Sequence, residues 1–209
     1  LRSRLTDLAT VADTVVGAAL NTAGTRSVAM EDRLGAQLLR IRTALDDSSS
    51  DLERSAALAS LHGTSTGWLR TDLPDEVPLP WDRRCLHWPL AFPEVFLGDR
   101  IGFDAIVGNP PYAGSTQTSA ANGATYRDHL VVHVAAGARG KTDLAAFFLL
   151  RLAIIGRSLG LLTTNSVAQT GSKEVGLDSL VEDSWVISRA KTAASWPGEG
   201  ATVSVVVLW

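Results

Sequence analysis

One cysteine in 209 residues, Cys85, rules out an internal disulfide and any zinc site built from clustered cysteines. Such sparing use fits a reducing cytoplasm, and Cys85 itself reads as a small buried hydrophobe. A basic excess is missing as well. The formal net charge is -3, so phosphate contacts to a polyanion must come from a local patch or from elsewhere. No hydrophobic run is long enough to cross a membrane: the greasiest stretch, Leu144–Ile155, is too short and carries Arg151. No signal peptide is visible. The four histidines, His62, His87, His129 and His133, show no metal-ligand spacing. What is present is the composition of a globular domain, 45% hydrophobic and 20% charged, in a chain long enough to bury a core. The chain opens on Leu1 and closes on Trp209 inside the apolar run "TVSVVVLW", so a segment of a longer protein is expected.

Residues 1–84 read as a helical segment followed by a connector. Up to about residue 62, Ala, Leu, Arg and Asp dominate, and Leu34, Leu38, Leu39 and Ile41 fall at helical spacing, which predicts a helical hairpin. The "DDSSSD" run at 46–51 is a linker or N-cap cluster. From Gly63 to Pro93 the composition shifts to Pro, Trp and Gly, with Trp81, Trp88, Phe92 and Phe96 expected to pin this connector to a core.

Residues 85–209 have an α/β pattern. "FDAIVG" at 103–108 has the character of a strand buried on both faces, and "LLTTN" at 161–165, "SWVIS" at 184–188 and "TVSVVVLW" read as further strands. Between the first two lies the helix "LAAFFLLRLAIIGRSL", capped by Thr142 or Asp143 and ended by Gly160. Residues 113–142 read as loop, with a short helix near 126–135. Strands alternating with helices predict a mostly parallel sheet.

After "FDAIVG" comes Asn109-Pro110-Pro111-Tyr112. Two prolines remove two backbone donors and fix two φ angles, and Pro110 keeps Asn109 out of the helical region. At the carboxyl end of a strand, where open α/β sheets bind ligands, this makes a rigid acceptor platform beside an aromatic ring. It suits one chemical problem. A conjugated amino group is a poor nucleophile, and two acceptors gripping its hydrogens favour a tetrahedral nitrogen and stabilise the developing positive charge. Tyr112 can stack on the planar group.

These residues resemble the S-adenosylmethionine-dependent amino methyltransferases, whose fourth motif is (D/N/S)-P-P-(Y/F). The Asn form preceded by "FDAIVG" looks like the adenine-N6 DNA methyltransferases. "HWPLAFPEVF", "GKTDLAAFFLLRL", "GLLTTNSVAQTGSKEVGLDSLV" and "SWPGEGATVSVVVLW" follow the order seen in large bacterial enzymes that combine restriction and modification, or modify alone. The resemblance spans roughly 85–209. It implies the catalytic part of a Rossmann-like methyltransferase sheet behind an N-terminal helical segment, S-adenosyl-L-methionine as cofactor, double-stranded DNA as substrate, and a cytoplasmic setting among other domains or subunits of a restriction-modification system. Asn109 and the Pro110 carbonyl, with Pro111 stiffening the turn, would grip the adenine amino group, Tyr112 would stack on the base, and the base would be flipped out of the duplex. Phe148 would border the cofactor's adenine ring and Asp143 would be a cofactor-binding residue with it, although Ala145 stands where the pattern often has tyrosine. Trp196 would flank the flipped base; Thr164, Asn165 and Gln169 would line the base or DNA pocket. Lys141 and Arg139 are candidates for phosphate contacts.

The glycine-rich turn that follows a first strand in this fold is not found in the sequence, and neither a ribose-binding acid nor a target-recognition domain can be placed. Two other readings stay open. The same motif serves methyltransferases of RNA or of protein glutamine, and a non-catalytic remnant that binds DNA or a partner fits as well. These 209 residues alone are expected to be inactive; methyl transfer to DNA by the isolated chain would contradict that.

Overall fold

The computed structural model describes residues 2–24, 29–73, 83–99, 101–111, 113–195 and 204–208. It falls into two units, Leu1–Glu94 with Asn122–His129, and Val95–Ala121 with Leu130–Trp209. The first is helical: α1 (Arg2–Thr22), α2 (Met30–Gly35), α3 (Leu38–Leu45), α4 (Asp51–Leu69) and α5 (Trp88–Ala91). The "DDSSSD" run supplies the cap of α4. Ser50 Oγ accepts from the Glu53 amide while Glu53 accepts from the Ser50 amide at 2.9 Å, a reciprocal capping box.

The helix runs past the expected boundary at Gly63. Ala57, Leu61, Ser65 and Leu69 keep one face buried every fourth residue, while Gly63 and Gly67 point into open space. Two glycines each weaken a helix by about 1 kcal/mol, which that buried face outweighs. Ala44, Ala57 and Leu61 form the core of this unit with Val11, Ile41 and Leu58 packed on it. Beyond α4, Arg83 donates to the carbonyls of Leu69, Thr71 and Asn122 and lies 5.4 Å from the Tyr126 ring centre, fastening the returning chain. Trp88 stacks on Phe92 at 5.7 Å; Trp81 lies outside the described residues.

The second unit contains α6 (Pro93–Phe96, from its third residue), β1 (Ile106–Gly108), α7 (Ser115–Asn122, except its last residue), α9 (Leu144–Ile155), β2 (Leu159–Thr164), β3 (Ala190–Ser195) and β4 (Ser204–Leu208). Helix α8 (Ala124–His133) contributes to both units, and with α7 it turns what the sequence suggested was a loop at 113–142 into mostly helix. After β2 come a 3-10 turn, Asn165–Ala168, and a short α10 (Thr170–Ser172). A π-helical stretch, Lys173–Asp178, then leads to α11 (Ser179–Glu182). The core is Ala146, Leu149, Leu161, Val167, Leu177 and Leu180.

The sheet order is β1-β2-β4-β3. β1 and β2 are parallel, Gly108 opposite Leu161, with α9 as the crossover. β4 is antiparallel to both β2 and β3. The sheet is therefore mixed rather than mostly parallel, and the reason is length: residues 196–203 are too few for a parallel crossover, which needs about a dozen or more. "SWVIS" is not a strand. The helical run ends at Ser184 with φ 71°, and Trp185 folds back with its amide on the Leu180 carbonyl at 2.9 Å, leaving Val186 79% exposed. The strand begins only at Ala190. β1 is shorter than expected and is not buried on both faces. It is the sheet edge, and Val107 is 84% exposed. No helix among the described residues is long and apolar enough to cross a membrane.

Helix α9 stops at Ile155, earlier than the sequence suggested, because the chain entering β1 occupies its end. Phe103 donates to the Ile155 carbonyl at 2.8 Å and accepts from Arg157 at 3.0 Å, bridging Gly156. Phe96 packs edge-on against Phe103 at 5.7 Å. Gly102 makes this approach possible: its φ is 101°, and a Cβ there would lie 2.7 Å from the Ile155 carbonyl oxygen. Gly102→Ala is expected to destabilise by about 1–3 kcal/mol, whereas Gly63→Ala, on the open face of α4, should be neutral or stabilise by up to about 1 kcal/mol. Urea midpoints of the two variants check the contrast.

Candidate active site

The Asn109-Pro110-Pro111 turn leaves the carboxyl end of β1, beside the carboxyl half of β2 in the parallel pair. Asn109 and Pro111 are exposed and Pro110 is buried. Tyr112 lies outside the described residues, as does Trp196. The turn is held at its start by the β1–β2 pairing and a few residues later by a clamp at Ala113. The Ala113 amide donates to Asp143 Oδ1 at 3.2 Å, and the Ala113 carbonyl accepts from the Leu144 amide at 2.9 Å and from Thr118 Oγ1 at 3.1 Å.

Asp143 is the centre of this clamp. Of the two caps the sequence offered, Asp143 rather than Thr142 is the N-cap of α9, with Oδ1 accepting from the Ala145 amide at 2.9 Å. Its other oxygen accepts from Ser166 Oγ at 2.7 Å, and its own amide donates to Ser172 Oγ at 2.8 Å. The residue is only 7% exposed. Three donors, on the motif loop, on α9 and after β2, therefore converge on one buried carboxylate. The α9 N-terminus adds a favourable field for that negative charge.

Around it opens a polar cavity of about 430 Å³ whose lining includes Gly114, Gln117, Lys141, Asp143, Gln169 and Thr170. The cavity thus gathers the segment after the motif, the approach to α9 and the segment after β2. Of the residues singled out from the sequence, Asp143, Gln169 and Lys141 line it. Thr164 sits at the end of β2, its hydroxyl 2.5 Å from Ser166 Oγ, and Asn165 opens the 3-10 turn. Phe148 is half-buried on α9 and lines no described cavity. A larger cavity in the same unit, about 570 Å³, lies at the amino end of β2, against Arg157, Ser158 and Leu159. It is at the amino end of the β1–β2 pair, whereas Asn109 follows the carboxyl end of β1, so size alone does not find the site.

The sequence offers Asp143 as one of two caps and as a cofactor neighbour, but not what it ties together. Ser166 and Ser172 carry no signal of this role in the sequence, since serines in such short polar segments commonly form turns and caps. What marks Asp143 for further donors is its burial, which only the fold reveals. Asp143→Ala is expected to destabilise the second unit by about 3 kcal/mol and Ser166→Ala by about 1 kcal/mol, measured by chemical denaturation; equal, small losses would contradict the hub.

None of the curated proteins compared matches the chain. A family model, the Eco57I restriction-modification methylase, matches residues 64–187, more than half of the sequence. That span runs from the last turns of α4 through the Asn109 turn, α9, β2 and the helical run up to Ile187. The chain belongs to the Eco57I restriction-modification methylase family.

Proposed function

We propose that this chain is the motif-bearing part of an S-adenosylmethionine-dependent methyltransferase that modifies the N6 amino group of adenine in double-stranded DNA. The observation that carries the reading is the position of Asn109-Pro110-Pro111, at the carboxyl edge of a parallel β1–β2 pair and inside the span matched by the family. The parallel pair with its crossover α9, closed by the antiparallel β4 and β3, supports a Rossmann-like methyltransferase sheet.

In this mechanism the Asn109 amide oxygen and the Pro110 carbonyl accept the two hydrogens of the adenine amino group. Their pull frees the nitrogen lone pair from the ring and stabilises the positive charge that develops on attack. The turn must not relax when the base arrives, and the clamp at Ala113 provides that rigidity. Tyr112 stacks on the base, which is turned out of the duplex because N6 is inaccessible within it. Trp196 flanks the base from the other side; Thr164, Asn165 and Gln169 complete the wall. S-adenosylmethionine, when bound, supplies a methyl group on a positively charged sulfur. Phe148, half-buried on α9, retains surface with which to border its adenine ring. The Asp143 oxygens already hold Ala113, Ala145 and Ser166, so Asp143 acts as a positioning residue behind the cofactor and motif rather than as a cradle for either. With a net charge of -3, the chain takes most of its DNA affinity from other domains or subunits, with Lys141 at the cavity as a local phosphate contact. Modification of the cell's own DNA puts the enzyme in the cytoplasm.

Expressed as its full reading frame in a host lacking adenine methylation, the protein should produce N6-methyladenine detectable by mass spectrometry of the DNA. Asn109→Ala should lower that signal by at least about 100-fold. Methylated RNA or protein glutamine in place of methyladenine, or no product from a folded, cofactor-binding protein, would overturn the reading.

A further inference from the structure

The first unit brings together three side chains that the sequence scatters. Asp13 projects from α1, whereas Cys85 and His87 lie on the extended stretch before α5. Two residues apart on an extended chain, Cys85 and His87 face the same side. His87 Nε2 is 2.7 Å from Asp13 Oδ1, and one donor atom from each of Asp13, Cys85 and His87 falls within 4.8 Å of the others. All three residues are half-buried. A cavity of about 220 Å³, bordered by Val16, Leu20, Tyr126 and His129, opens onto Cys85 and gives an ion and its water a way in.

We propose that Asp13, Cys85 and His87 form a three-ligand site for a borderline divalent cation of the zinc class, which staples the extended segment to α1. Sulfur, imidazole nitrogen and carboxylate oxygen are the donor types that such a cation accepts together. Bonds of about 2.0–2.3 Å in a tetrahedron put neighbouring donors about 3.3–3.6 Å apart. The pair now at 2.7 Å then opens by less than an ångström, and the sulfur closes in within the 4.8 Å spread. On binding, the Cys85 thiol gives its proton to solvent, His87 coordinates as the neutral ring, and water fills the fourth position. The segment already meets α1 here through the His87–Asp13 hydrogen bond and the nearness of Cys85 to the same carboxylate, and a metal would tie all three groups to one centre. The site is built from residues that the methyltransferase chemistry does not use.

The test is a cobalt(II) titration of the 209-residue chain after treatment with a chelator. One equivalent should give tetrahedral visible bands and a thiolate-to-cobalt charge-transfer band, both abolished by zinc. Cys85→Ser should remove the charge-transfer band and weaken binding by at least about tenfold, and Asp13→Asn, which preserves shape, should weaken binding by a similar factor. Circular dichroism identifies any variant that fails to fold, and the other variant then decides. Absence of tetrahedral bands from the folded wild-type chain, a charge-transfer band that persists in folded Cys85→Ser, or an unchanged cobalt affinity in folded Asp13→Asn would overturn the proposal.

Discussion

The second unit is organised by a buried carboxylate that faces three ways. Asp143 starts α9, holds Ala113 behind the Asn-Pro-Pro turn, and accepts from Ser166 beyond β2. Burying an ionised carboxylate is costly unless hydrogen bonds replace its water, and the donors here come from three separate segments. Each segment thereby depends on the other two being in place. This is how a loop at a sheet edge acquires the rigidity of the core without being part of it.

From that constraint the arrangement of the site follows. β1 is short, exposed on its outer face and at the sheet edge, so its own pairing with β2 fixes little of what comes after Gly108. Proline stiffens the turn internally but does not aim it. Aim comes from the two ends, the pairing at Gly108 and the clamp at Ala113, and the second is the stronger because its backbone groups are held in both directions by residues 143 and 144. Behind the clamp, α9 is locked by packing, with Ala145, Ala146, Phe147 and Leu149 all buried. In the proposed reaction a platform that meets an amino group with two acceptors gains from being fixed in advance, since motion at that point would spend the interaction on ordering.

Features governed by local rules were legible in the sequence: the α9 helix with its cap at Thr142 or Asp143, the N-cap cluster in "DDSSSD", the strand character of "IVG" and "LLTT". Features governed by distance were not. The antiparallel β3–β4 pair was among them: a strand at 184–188 leaves thirteen residues before "TVSVVVLW", enough for a parallel crossover, and only the strand at Ala190–Ser195 shortens that link to the eight residues 196–203. "SWVIS" misled because a short apolar run reads the same whether it pairs or turns back onto a core, as Trp185 does. The strand that does form, Ala190–Ser195, is made of residues with weak strand preference and exists because β4 pairs with it. At the site, the motif named itself, but the serines that complete the clamp lie 23 and 29 positions from Asp143 and no local pattern joins them. The same holds for Asp13, 74 residues from His87.

Amide hydrogen exchange at Ala113 tests the clamp most directly. If Asp143 holds the motif loop, the Ala113 amide exchanges as slowly as that of Ala145, and the two lose protection together in Asp143→Ala. An Ala113 amide that exchanges like that of an open loop while Ala145 stays protected would contradict the account.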